Sequence, residues 1–314
     1  MISRRLIRIK VLQTLYASLK GDKTLNAAEK ELMFSIEKVE ELYHYILLLL
    51  LDIVHFANNR IDAAKEKKIP TYEDLNPNTR FVDNKVIKQI SEDPGLKKYI
   101  LEKKISWVDY PELIKALYKS ITSSDYYLAY MELADGDFND DKKLIESIIV
   151  KEIAGMEQIE QWMEEKSVFW NDDLDFVLTM LVKNIKKLKN SDEGLPVIKA
   201  FKGSDDCDFA VRLLRKSQLN YEEFKQTVEK YTTNWDVDRI AFIDILLMVI
   251  AIAEIIEFKN IPVKVSLNEY IEISKTYSTR NSSNFINGIL DKVVKVFRNE
   301  NKIQKEGRGL VGEE

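Results

Sequence analysis

Arginines spaced along a helix beside a tyrosine can grip phosphates and stack an unpaired base. The chain carries such a set at its start, with Arg4, Arg5, Arg8, Gln13 and Tyr16 inside RRLIRIKVLQTLYASL. Ile7, Val11, Leu12, Leu15 and Leu19 recur at the spacing of one helical face. The segment is therefore read as an amphipathic helix whose apolar stripe docks on a core. Arg5, Gln13 and Tyr16 then share a flank, while Arg4 and Arg8 lie along the stripe before its packing begins, so the helix start projects cations beyond the core. A basic helix start beside a half-buried tyrosine is also common surface decoration, and both readings stand at this point.

A second polar constellation lies near the C-terminus. Ser266-Leu-Asn-Glu269 has the spacing of a capping box. The run Tyr277-Ser-Thr-Arg-Asn281-Ser282-Ser-Asn284-Phe285 then makes a polar turn, with Asn281 or Ser282 as N-cap of a last helix. Amides and hydroxyls at a helix N-terminus suit phosphates or base edges, although a capped turn is also a purely structural device. The last helix carries a stripe of Phe285, Ile289, Val293 and Phe297, widened by Ile286 and Leu290. Gly288 inside it costs about 1 kcal/mol relative to alanine, which predicts close backbone contact with another helix.

Other candidates lead away from catalysis. Asp135 to Asp141, with Glu146 at the twelfth position, has the oxygen spacing of a calcium loop, but Asp140 stands where that loop needs glycine and Lys143 stands at its ninth position. A helix–helix turn whose aspartates cap the next helix is the plainer reading. His44 and His55 are eleven residues apart on one expected helix, too far to share a metal or act as a nucleophile–base pair. Cys207 is the single cysteine, which excludes a disulfide scaffold or cysteine-rich zinc site and fits a reducing cytoplasm. With no Gly-rich phosphate loop, GxSxG elbow or HExxH, no catalytic residue, metal or cofactor is expected.

The elements that must position these residues are all helical. Ten glycines and six prolines in 314 residues are under half of average usage, and apolar residues recur at three and four spacing almost throughout. Breaks fall at Gly21, Pro77, Pro94-Gly95, Pro111, Ala134 to Gly136, Gly194-Leu195-Pro196, Gly203 and Pro262. Single helices are expected over 141–165 and 236–258. The latter is the most apolar stretch, yet only Ile245 to Ala253 is uncharged, too short to span a bilayer. The basic start MISRRLIRIK is followed by no apolar signal core. No membrane association is expected.

Net charge is −5, which argues against nucleic acid until the charges are located. Residues 1–20 hold five cations and no acid, and residues 292–308 hold six cations against Glu300 and Glu306. Residues 125–175 hold fifteen acids against four lysines. The acidic balance therefore belongs to the middle of the chain.

RRLIRIKVLQTLYA at 4–17 and IPVKVSLNEYIEISKTYSTRNSSNFINGILDKV at 261–293 together resemble the NusB family of bacterial transcription antitermination factors. Between them, DRIAFIDILLMVIAIAEI looks like the family's core helix, with Asp244 and Glu254 on matching acids and Val249 and Ala253 where the family usually has Arg and Tyr. The resemblance implies an all-α, NusB-like helical bundle with additional inserted helices and no catalytic residues. It implies binding of single-stranded boxA-type RNA, a NusE-type ribosomal protein as partner, and action within the transcription machinery. Carried over by position, the RNA surface would be Arg4, Arg5, Arg8, Gln13, Tyr16, Tyr277, Asn281, Ser282, Asn284 and Phe285, with Phe285 equally placed for the core. Asp244 and Glu254 would meet the basic partner. Asn281 and Asn284 replace the family's usual Asp and frequent Lys, changes whose charges offset. The implied organisation is an N-terminal helix of the fold over 1–40, a helical insertion over 41–205 and a C-terminal core over 206–298, and beyond it Gly307, Gly309 and Gly312 predict a disordered tail over 299–314. The alternatives are a helical adaptor that binds no RNA, and an rRNA cytosine methyltransferase relative, which the lack of a Gly-rich cofactor loop and second cysteine disfavours.

Overall fold

A computed structural model describes residues 2–191, 203–232 and 240–312. The expected Gly194-Leu195-Pro196 break and the Asp238-Arg239 start of the core-helix motif lie outside those residues. Among the described residues the chain is helical, without strands. None of their helices is long and apolar enough to cross a membrane. The chain divides into two compact units, Met1–Ile36 with Ala200–Glu314, and Glu37–Lys199.

Helix α1 (Arg4–Lys20) starts where the Ser3 hydroxyl accepts from the Leu6 amide. Its stripe of Ile7, Val11, Leu12 and Leu15 is buried, as the periodicity predicts. Helix α2 (Leu25–Lys65) follows, its residues through Ile36 belonging to the first unit and those from Glu37 to the second.

The second unit continues with α3 (Tyr72–Leu75), α4 (Lys85–Glu92), α5 (Pro94–Lys103), α6 (Pro111–Thr122), α7 (Asp125–Met131), α8 (Phe138–Ile148), α9 (Glu157–Lys166) and α10 (Leu174–Lys187). The helix expected over 141–165 is broken. A π turn at Ile149–Ile153 ends α8, and Gly155 at φ +75° separates it from α9, a conformation that glycine adopts without steric cost. Trp107, Trp162 and Trp170 gather around Tyr45 with ring centroids 5.1 to 5.6 Å from it. The indole nitrogens of Trp107 and Trp170 donate to the carbonyls of Tyr45 and Lys38. Asp137 caps α8, accepting from the Asn139 and Asp140 amides while Asp140 accepts from the Asp137 amide. The Asp135–Asp141 loop is thus a capping box, and no group of three or more metal-ligating side chains exists among the described residues. His44 is buried and stacked on Tyr99 at 3.7 Å, and its burial pulls its pKa below the ordinary value. His55 is exposed beside Asn59.

The first unit is completed by α11 (Ser204–Leu219), α12 (Tyr221–Tyr231), α13 (Phe242–Glu257), α14 (Val263–Tyr277) and α15 (Ser282–Asn299). Helix α13 is apolar on every face and buried continuously from Asp244 to Ile255, so it must be surrounded. Helices α1, α11, α12, α14 and α15 all pack on it.

Three local expectations are corrected. Helix α14 begins at Val263 behind Pro262, so Ser266 and Glu269 lie inside it and form no capping box. Gly288 approaches no other backbone, since a Cβ there would meet nothing within 4 Å. Residues 299–312 do not trail away as a disordered tail. Ile303 packs against Ile255, Val263 and Val294, the Glu306 amide donates to the Lys259 carbonyl at 3.1 Å, and a 3-10 turn closes Gly307–Leu310.

Gly288 is exposed, in helical conformation and in open space. Gly288→Ala is therefore expected to stabilise the protein by about 0.5–1 kcal/mol, chiefly through the unfolded chain. Urea unfolding with an unchanged m-value and a higher midpoint is the expected result.

Candidate nucleic-acid interface

The three arginines of α1 are sorted by the carboxylates that meet them. Arg8 is buried at 3% exposure, and its Nε and Nη2 each donate to Glu254 at 2.7 Å. Glu254, fully buried on α13, also accepts from the Ser266 and Tyr270 hydroxyls of α14 at 2.7 and 2.8 Å. Burial opposes the Arg8 charge, but the hydrogen bonds and field of Glu254 outweigh it and hold the guanidinium above its ordinary range. The Tyr270 phenol is pushed well up by burial and by the Glu254 charge. Arg8 therefore has little surface to offer RNA, and Glu254 has none for a protein partner. Both assignments are corrected, because a carboxylate 246 residues away in sequence neutralises the guanidinium inside the core.

Arg4 and Arg5 stay half exposed. Arg4 Nε donates to Asp206 at the start of α11 at 3.2 Å, with its guanidinium over the Phe209 ring. Arg5 donates through Nε and Nη2 to both oxygens of Glu269, at 2.8 and 2.9 Å. Those hydrogen bonds hold the Glu269 carboxyl below its usual range, and Glu269 raises Arg5 in turn. Two of five guanidinium donors are used in this contact, so Glu269 orients the fork of Arg5 without consuming it.

Farther along the same helix the polar turn arrives beside α1. Gln13 Nε2 donates to the Tyr277 hydroxyl at 3.4 Å. Tyr16 is 43% exposed and rests edge-on against Phe242 at 5.5 Å, and Lys20 Nζ sits 4.4 Å from the same ring. Asn281 and Asn284 are exposed and Phe285 is half-buried. Ser282 is not available. It is buried, donates to Asp244 Oδ2 at 2.7 Å and accepts from the Ser278 hydroxyl, so the pair ties α15 to α13. Asp244 is 4% exposed and cannot meet a partner. The side chain of the expected N-cap, Asn281, makes no cap. Phe242 and Lys20 belong to the surface without any motif of their own, and Glu269 was marked only by a capping-box spacing that gave it a different role. The position of Phe242 two residues before the buried run gave no sign of it.

The chain places a cationic and aromatic flank on a helix whose core packing depends on α13 and α14, and residues 175–295, which span both, match the family model described as NusB family. The chain carries a NusB-family domain. A curated transcription antitermination protein NusB of Salinibacter ruber is 41% identical over 105 residues, 33% of this chain and 66% of that protein. Its namesake in Chloroherpeton thalassium is 42% identical over 104 residues, 33% of this chain and 49% of that protein. The match thus spans between about half and just under two thirds of these NusB proteins. A solved structure of T. maritima NusB, 23% identical, overlaps 46% of this chain and 85% of that one at a TM-score of 0.30, too low to carry an argument. The NusB match begins at α10, inside the span expected to be insertion, and α1 lies outside it.

Removing one partner of a buried ion pair strands the other. Glu254→Ala is expected to destabilise the protein by about 3–5 kcal/mol in urea unfolding, with Arg8→Met combined with Glu254→Leu costing clearly less. Equal losses would contradict the pairing. Glu269 has a lowered folded pKa, so its contribution is present above the unfolded value of about 4.3 and lost as pH falls through the lower folded value. The stability gap between wild type and Glu269→Gln, from thermal unfolding across pH, should be level near neutrality and close in acid below about pH 4.

Proposed function

We propose that this protein is a non-enzymatic RNA-binding transcription antitermination factor, acting on single-stranded boxA-type leader RNA with a NusE-type ribosomal protein and the transcription machinery. The observation that carries the reading is the α1 flank, where half-exposed Arg4 and Arg5 precede exposed Tyr16 and the Gln13–Tyr277 contact. The antitermination names of the two relatives support it. Phosphates pair with the remaining donors of Arg4 and Arg5, and Tyr16 or Tyr277 takes an unpaired base on its face. Asn281 and Asn284 offer amides to base edges. Arg8, Ser282, Asp244 and Glu254 act only through the helices they hold in place.

Few cations take part, and Arg4 and Arg5 each already share their charge with a carboxylate. Affinity for RNA alone is therefore modest, and a second protein that adds phosphate contacts tightens it. The test is titration of boxA-type RNA with and without the NusE-type protein across a salt series. Tyr16→Ala is expected to cost about 1–3 kcal/mol, and Arg4→Glu with Arg5→Glu to weaken binding and flatten the salt dependence. Binding that ignores both the partner and these substitutions would sink the reading, and absence of any RNA binding would favour a helical adaptor.

A further inference from the structure

The residues after α15 return to the start of α1. Lys305 Nζ donates to the carbonyls of Ile255 and Phe258 at 2.8 and 3.0 Å, at the C-terminal end of α13 where the helix dipole favours a cation. Lys259 pairs with Glu306 at 3.0 Å. Gly309 is buried so closely under this turn that a Cβ would fall 1.9 Å from the Lys259 carbonyl oxygen, while Gly307 and Gly312 adopt φ +53° and +78°. These glycines let the segment lie flat on the α13–α14 connection, a close approach that side chains would prevent.

The strap walls one side of an open groove of about 930 Å³. Arg4, Arg5 and exposed Arg308 stand around it, buried Arg8 and the acid Glu269 also line it, and Ile261, Pro262, Val265 and Val311 supply an apolar surface. A cationic rim over an apolar floor matches a ligand that is anionic along its backbone and apolar on flat faces. Unpaired nucleotides have that chemistry, and a duplex hides its base faces in the stack.

Resting on the RNA-binding reading above, we propose that the segment from Ile303 to Gly312 is a built wall of the RNA site. Arg308 contacts a phosphate, and the groove extends the bound single strand past Arg5, away from Tyr16. This segment lies beyond the residues that match the family model.

The test is fluorescence titration of the full chain with a labelled single-stranded oligoribonucleotide over a salt series. Arg308→Glu is expected to weaken binding about 5- to 10-fold and lower the salt slope by about one, Arg308→Lys to keep the slope. Gly309→Ala, which displaces the strap without changing charge, is expected to weaken binding as well. Circular dichroism identical to wild type separates these effects from unfolding. A duplex of the same sequence and a polyglutamate peptide are expected to compete poorly, and displacement by either at equal charge overturns the assignment of the floor to bases. Wild-type binding that is lost in Tyr16→Ala but unchanged in both Arg308→Glu and Gly309→Ala overturns the strap proposal and leaves the RNA-binding reading standing. Absence of wild-type binding overturns both.

Discussion

The Glu254 carboxylate is the point on which the site depends. It sits with no solvent access on a helix that is otherwise apolar, and accepts two bonds from Arg8, one from Ser266 and one from Tyr270. A carboxylate has room for about four such bonds. One ion therefore joins three helices, α1, α13 and α14, at a fixed rotation and register. Apolar packing alone would tolerate small slips of α1 along α13. A bidentate guanidinium–carboxylate contact does not, because both partners lose their hydrogen bonds when displaced, deep in a low-dielectric core.

Fixing that rotation decides what α1 shows to solvent. With Arg8 turned inward, Arg5 emerges beside Glu269 on α14 and Arg4 beside Asp206 on α11. Tyr16 emerges eleven residues later on the flank of Arg5, about 16 Å along the axis, braced by Phe242. The acids around the arginines lower the local positive charge but hold the side chains in place. Long flexible cations otherwise lose rotamer entropy when they bind, so orientation offsets part of the weakened field. A second buried contact, Ser282 with Asp244, seats the polar turn against the same central helix.

The helical class was legible in the sequence because period and breaker usage report backbone geometry locally. The α1 stripe and the buried run of α13 follow from the same patterning. The Ser266–Glu269 pattern misled for an equally physical reason. Both side chains were engaged by distant partners, Ser266 by Glu254 and Glu269 by Arg5, while Pro262 with φ near −59° opened the helix four residues earlier. Glycines misled in opposite directions. Gly288 signalled a close approach that does not exist, whereas the glycines of the tail, which suggested disorder, include Gly309 pressed against the Lys259 carbonyl.

By itself the sequence determined an all-helical chain, the cations gathered in its first turns, the acid concentrated in its middle, and the two end segments that resemble one family. Only the tertiary structure decided which of Arg4, Arg5 and Arg8 belong to a surface, and that Asp244, Glu254 and Ser282 do not. The reason is that exposure of a charge is set by its partner. The partners of α1 lie about 200 to 265 residues away along the chain, beyond anything that spacing on a single helix can report.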